Sequence, residues 1–299
     1  MGELNGKVGK FNPKFFHMPK LDVNDYQLLE QRRKKGKPLK PKIPKKMNWK
    51  YINIFEIDPE EVARQITLSE YKIFNKLEFT EFLNQSWNKE ERFPQSPTIR
   101  KMIDRFNKFN YWVCTLILQA EKLSQRIKIL TYFIQLADHF KNLNNFNYLM
   151  ATLSSLHSNS ILRLKHTFKQ ITHQNKQKLE EFDQLMSGKG AYKTYRAALK
   201  SAFLKGQSCI PFIGIHLTDL TFLDESRSDY DENGEVSKSK LETMVTVISN
   251  ILVFQTRPYS LTDVPRLQEY FTDFPGLNND QLYELSLQRE PRNSNIEDL

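Results

Sequence analysis

From Asn53 onward, apolar residues recur mostly at three- and four-residue steps, the period of helices that bury one face. Asp58-Pro59-Glu60-Glu61 reads as a helix start, with a capping Asp, Pro in the first position and acids in the first turn. Ser96-Pro97 repeats that logic. Ile99, Met102, Ile103, Phe106, Trp112, Val113 and Ile117 then mark a helix of about twenty residues. Further helices are predicted over Arg126–Phe140, Phe146–Leu156, Gln174–Met186 and Tyr192–Phe203, the third of these stopped by Ser187-Gly188-Lys189-Gly190. Ile210–Leu223 is apolar and opens with a helix breaker, Pro211. An acidic stretch, Asp224–Gly234, follows, with a turn signal at Asn233-Gly234. Lys238–Gln255, Val264–Phe274 and Asp280–Gln288 complete the predicted helices, and no internal repeat is visible. The expected fold is all-α: a single large helical domain over residues 50–293, between a tail at 1–49 and a short C-terminal tail at 294–299.

Composition fits that picture. The 299 residues are 39% apolar and 12% aromatic, enough for a sizeable core, and ten glycines are few for a turn-rich β protein. Charge is unevenly placed. Residues 1–50 hold fourteen Lys/Arg against four Asp/Glu, while the rest of the chain holds thirty against thirty-one. The net +9 therefore belongs to the N-terminal segment. A near-neutral body is a poor polyphosphate binder, so nucleic acid is not expected as a partner. Five of the thirteen prolines (Pro13, Pro19, Pro38, Pro41, Pro44) and the run Arg32–Lys37 give the tail the composition of a solvated linker. It also suits contact with anionic membrane, each charge worth ~1 kcal/mol near the surface. No stretch reaches the length of a membrane span. The start lacks a signal-peptide core, and the C-terminus is no prenylation box. A cytoplasmic location is expected.

Ordinary active-site chemistry is not signalled. The six histidines form no metal-ligand spacing, and Cys114 and Cys209 make neither a disulfide framework nor a zinc site. No nucleophile elbow is present. Ser187–Thr194 has the flavour of a phosphate loop, but its spacing is wrong and no strand precedes it, so it reads as a helix-to-helix turn. No metal and no cofactor are expected. A helical protein without recognisable covalent chemistry suggests a binding or regulatory role.

Several segments resemble the catalytic domain of Ras-type guanine-nucleotide exchange factors, shared by son-of-sevenless and its relatives. Phe55–Thr67 resembles the domain's opening. Leu143-Asn-Asn-Phe-Asn147 and Ser160–Phe168 resemble its central helices. Cys209–Leu220 resembles its most recognisable stretch, and Gln288-Arg-Glu-Pro-Arg-Asn293 its closing signature. They occur in the family's order and spacing over about residues 52–293.

The resemblance implies an exchange factor for a Ras-family small GTPase of Ras, Rap or Ral type, acting without covalent chemistry. Such a protein must bind the nucleotide-free GTPase better than the GDP-bound form, because only differential affinity shifts the equilibrium. In the family a helical hairpin displaces switch I while a hydrophobic pocket grips switch II. By register the hairpin here runs over about 219–255. Thr221 falls where a bulky aliphatic residue often blocks the magnesium position, and Glu225 where a glutamate approaches the phosphate-binding loop. Their four-residue separation puts both on one helix face, and a carboxylate there competes for the amide donors that hold phosphate.

The pocket positions implied are Ile103, Met150, Leu162 and Phe212, with polar contacts from Asn107, Ser154, His157, Arg163 and Tyr195. His157 stands where better-known members carry asparagine. Plainer roles fit the same residues: a hairpin-tip acid for Glu225, core positions for the pocket four, and a structural core arginine for Arg163. Many relatives carry a second helical domain that props the hairpin, and residues 1–50 are too short and too rich in Pro and Lys to be it. Either the hairpin stands unaided or the chain is part of a longer protein. The rival to exchange is a catalytically weak scaffold that binds a GTPase.

Overall fold

The computed structural model describes residues 38–292 and, ahead of them, the backbone of two three-residue strands, β1 (Gly2–Leu4) and β2 (Lys7–Gly9). These strands pair antiparallel with Gly2 opposite Gly9. The basic run Arg32–Lys37 and residues 293–299 lie outside the described residues. The body is all-α, as expected. Its helices are α1 (Pro59–Phe74), α2 (Pro97–Gln119), α3 (Leu123–Asn142), α4 (Phe146–Leu156), α5 (Asn159–Leu162), α6 (Lys165–Lys169), α7 (His173–Leu185), α8 (Lys193–Leu204), α9 (Ile213–Ser226), α10 (Lys238–Leu252), α11 (Pro265–Tyr270) and α12 (Asn279–Arg289).

Among the described residues the chain condenses into two compact units. The larger takes residues 38–73, 101–212 and 261–292, and the smaller takes 74–100 and 213–260. The caps explain many of the boundaries. Asp58 Oδ1 accepts from Glu60 N at 2.9 Å, Thr172 caps α7 through Asn175 N, and Asn278 forms a capping box with Gln281 at α12. Ser96 departs from expectation. Its hydroxyl is buried with no hydrogen-bond partner among the described residues. The start of α2 is capped instead by Glu81, whose carboxylate accepts from Thr98 N (2.7 Å) and Ile99 N (3.1 Å). A charged acceptor is roughly twice as strong as a neutral one, so the glutamate wins the donors.

The larger unit is centred on an aromatic cluster. The Phe109 ring meets Tyr148 at 4.8 Å and Phe274 at 5.2 Å between centroids, and Trp112 meets Phe274 at 5.2 Å. Beside it lies a fully buried carboxylate, Glu70. It receives Arg105 Nε at 3.3 Å and Asn147 Nδ2 at 3.1 Å. Arg105 also donates to the carbonyls of Phe271 and Thr272 and to Ser69 Oγ. One ion pair thus joins α1, α2, α4 and the segment after α11. Burial pushes the Glu70 carboxyl above its ordinary range, against the pull of Arg105.

The closing segment is locked in a similar way. Glu290 accepts from His166 N, Thr167 N and Thr167 Oγ1, capping α6. The fully buried Arg126 donates to the carbonyls of Ala120, Glu121 and Arg289. Gly276 passes so close to α2 that a Cβ would sit 2.7 Å from the Tyr111 carbonyl carbon, so no side chain fits there without a shift.

Replacing Arg105 with Met should cost about 3–5 kcal/mol, because Glu70 is left buried without its cation. Urea denaturation measures this. A carboxyl whose folded pKa is raised favours the folded state below its unfolded pKa and disfavours it as pH rises. The deficit should therefore shrink as pH falls through the raised folded pKa and be largely gone by about 4.3, the unfolded value.

Candidate functional site

The hairpin lies in the smaller unit. Its first arm, α9, begins at Ile213, six residues before the expected start at Asp219. Ile213, Ile215, Leu217, Leu220 and Leu223 are buried along it. The connection is built as the Asn233-Gly234 signal suggests. Asp231 Oδ1 accepts from Asn233 N and Glu235 N, Gly234 takes φ +75°, and Tyr230 bridges Val236. The second arm, α10, starts under a Ser237 cap and buries Met244, Ile248 and Ile251. At its far end Gln255 Nε2 donates to the carbonyls of Phe74 and Leu77, and the turn Phe79–Phe82 packs on α10.

The two acids in the last turn of α9 differ sharply. Asp224 is engaged by Lys240 of the second arm at 3.1 Å, and the same ammonium reaches Asp229 at 2.6 Å and the Arg227 carbonyl at 3.1 Å. Lys240 is buried. Burial works against its charge, but the Asp229 and Asp224 hydrogen bonds outweigh it and raise its pKa. Glu225, the next residue, is exposed, and among the described residues no ion pair or hydrogen bond engages it. Thr221 is half-buried one turn earlier. Between them stands Phe222, 70% exposed. Sequence reasoning passed over Phe222, although the signal was present: Leu217, Leu220 and Leu223 set the buried face, and Phe222 falls off it.

The larger unit carries the expected pocket residues. Phe212 stacks on Phe106, with ring centroids 5.6 Å apart and 23° between planes. Its amide donates to the Tyr195 hydroxyl at 3.1 Å. Tyr195 is fully buried and meets Phe146 edge-on. It therefore holds the Phe212 backbone from beneath. On α2, Ile103 is half-buried and Asn107 exposed. On α4, Met150 and Ser154 are half-buried one turn apart. Leu162, at the end of α5, is 55% exposed. None of the four pocket residues is sealed in the core, whereas their neighbours Met102, Leu149 and Ile161 are fully buried.

Two polar positions take specific partners. Arg163 donates to the Ser286 carbonyl (2.6 Å), the Ser286 hydroxyl (3.0 Å) and the Glu290 carbonyl (2.6 Å). Its guanidinium is committed to Ser286 of α12 and to Glu290 just past that helix. His157 closes α4, exposed, with Nε2 3.4 Å from Asp183 Oδ1 on α7. That carboxylate raises the imidazole pKa above its ordinary value, against partial burial. Among the described residues no cluster of three His, Cys, Asp or Glu could hold a metal ion, and no helix is long and apolar enough to cross a membrane.

Known proteins share much of this sequence. The RasGEF domain model matches residues 61–242. Ras guanine nucleotide exchange factor A of Dictyostelium discoideum is 37% identical over 273 residues, covering 87% of this chain and 44% of that protein. Ras guanine nucleotide exchange factor G of the same organism is 39% identical over 249 residues, covering 83% of this chain and 16% of that protein. The chain belongs to the RasGEF domain family. It spans less than half the length of these relatives.

In an NMR titration the His157 imidazole should protonate above the reference value of about 6.5, and Asp183→Asn should bring it down. The linkage has a definite sign. A raised folded pKa adds stability that is fully present below the unfolded value and fades as pH rises through the folded one.

Proposed function

We propose that this chain accelerates GDP release from a Ras-family small GTPase, of Ras, Rap or Ral type, through residues 50–293. The names of the relatives and the family membership support a Ras-type substrate. In this reading the α9–α10 hairpin enters the nucleotide site and displaces switch I, while Phe212, Ile103, Met150 and Leu162 grip switch II. Phe212 offers an aromatic face backed by Phe106, the form of an interface hot spot. Asn107, Ser154 and His157 supply polar contacts around it, Tyr195 holds the Phe212 amide, and Arg163 ties the residue after Leu162 to the end of α12. The basic N-terminal segment contacts anionic membrane, and the protein works in the cytoplasm.

The observation that carries the reading is the unengaged Glu225 beside the engaged Asp224. A carboxylate with no partner of its own can take amide donors that would otherwise hold phosphate. Exchange then needs no nucleophile, only stronger binding to the nucleotide-free GTPase than to the GDP-bound one. Thr221, with its methyl and hydroxyl in place of a bulky aliphatic, favours a second reading, a scaffold that binds a GTPase with little release.

Fluorescent-GDP release from a panel of Ras, Rap, Ral and Rho-type GTPases separates the two. Acceleration on a Ras-branch member is expected, and Glu225→Ala should slow it about tenfold or more, equivalent to ~1.4 kcal/mol in the barrier. Complex formation without acceleration would select the scaffold. Phe212→Ala should weaken binding to the nucleotide-free GTPase by about 1–3 kcal/mol, measured by calorimetry.

A further inference from the structure

Glu225 sits on the last turn of α9, which ends at Ser226. Helix ends fray, and their last carbonyls lack intrahelical partners. Acids at a helix C-terminus also oppose the macrodipole. Around this end lie Asp224, Glu225, Asp229, Asp231 and Glu232. Left to itself, this turn would be a poor platform for a carboxylate that must meet a partner in one place.

Lys240 answers each of these problems at once. Its ammonium has three donors, and the structure supplies three acceptors: Asp224 Oδ1 at 3.1 Å, Asp229 Oδ1 at 2.6 Å and the Arg227 carbonyl at 3.1 Å. The side chain is only 6% exposed, so these bonds are little screened by solvent. Asp224 and Arg227 bracket Glu225 along the chain, one residue before it and two after. The Arg227 carbonyl lies just past the helix, so the cation of one arm caps the end of the other. Lys240 is itself fixed in the first turn of α10, where its amide is capped by Ser237. Arg227 adds a second tie, donating to Thr243 Oγ1 at 3.1 Å.

We propose that Lys240 is a positioning residue for exchange: it braces the two arms of the hairpin and holds Glu225 at the end of α9 without touching it. The proposal rests on the exchange reading above. It gives the hairpin an internal support, built from residues 224–243.

The test measures fluorescent-GDP release by the full chain on the GTPase that responds best, with the maximal rate and the half-saturating concentration determined separately. Lys240→Met should lower the maximal rate about tenfold and shift the half-saturating concentration less than about twofold, because the Phe212 pocket is untouched. Lys240→Arg should recover part of the loss. In a Glu225→Ala background Lys240→Met should add less than about twofold, since two changes acting through one group are not additive. Hydrogen exchange of the 223–227 amides should quicken in Lys240→Met. Asp229→Asn, which removes one acceptor and keeps the cation, should give a smaller loss of the same kind and serves if Lys240→Met does not fold. Undiminished release by both Lys240→Met and Asp229→Asn, or losses from Lys240→Met and Glu225→Ala that multiply independently, would overturn the brace and leave the exchange reading standing. No release by the wild-type chain on any GTPase would overturn both. Release that depends on Lys240 but not on Glu225 would refute the positioning role.

Discussion

The larger unit depends on a carboxylate closed off from the surface. Glu70 is fully buried, and its charge is tolerated because Arg105 and Asn147 meet it while Arg105 reaches the carbonyls of Phe271 and Thr272. Removing an ion from water is expensive, and only good geometry with further hydrogen bonds offsets it. The arrangement therefore admits little variation in how α1, α2 and α4 meet. That rigidity bears on the surface. Ile103 and Asn107 flank Arg105 on α2, two residues to either side, and Met150 follows Asn147 by one turn on α4. The buried charges hold the inner faces of these helices, and the outer faces carry the proposed pocket.

The smaller unit repeats the device on a smaller scale. Lys240 does for the hairpin what Arg105 does for the pocket helices: one cation satisfies acceptors from separate stretches and fixes their register. Both sites contrast with the groups left outside. Glu225, Phe222 and Leu162 are exposed. Order at the support and exposure at the proposed contact surface is the pattern expected of a preorganised binding protein.

Much of this was legible in the chain. Asp58-Pro59 and Asn233-Gly234 act through local chemistry, so their effects appear where the residues stand. The amphipathic stretch after Ser96 gave the long helix α2 for the same reason. The start of α9 was not marked because Ile210–Ile215 is apolar around Pro211, and with no polar position beside it Pro211 is read as a break in the pattern and not as a residue shortly before a helix. The cap on α2 was invisible because Glu81 lies fifteen residues ahead of Ser96 and competes with a perfectly suitable serine. Arg163 could be read either way, since nothing local tells a contact arginine from one bound to a helix 120 residues on. Lys240 gave no signal at all: its acceptors stand eleven to sixteen residues away across a turn, and no spacing rule marks them. Recognition of the family segments, rather than periodicity, put Glu225 and Phe212 forward.

Phe222 and Leu162 have one more consequence, and it concerns the protein before it meets any partner. An aromatic ring and an aliphatic side chain held in water do not distinguish a GTPase from another apolar surface. At high concentration the same groups are open to a second copy of the chain, and salts that are excluded from protein surfaces strengthen that attraction. The near-neutral charge of the body offers little repulsion against it. Colloidal behaviour is thus tied to these two exposed side chains: a sequence polished for solubility there would be easier to concentrate, and at Leu162 it would also alter the proposed pocket.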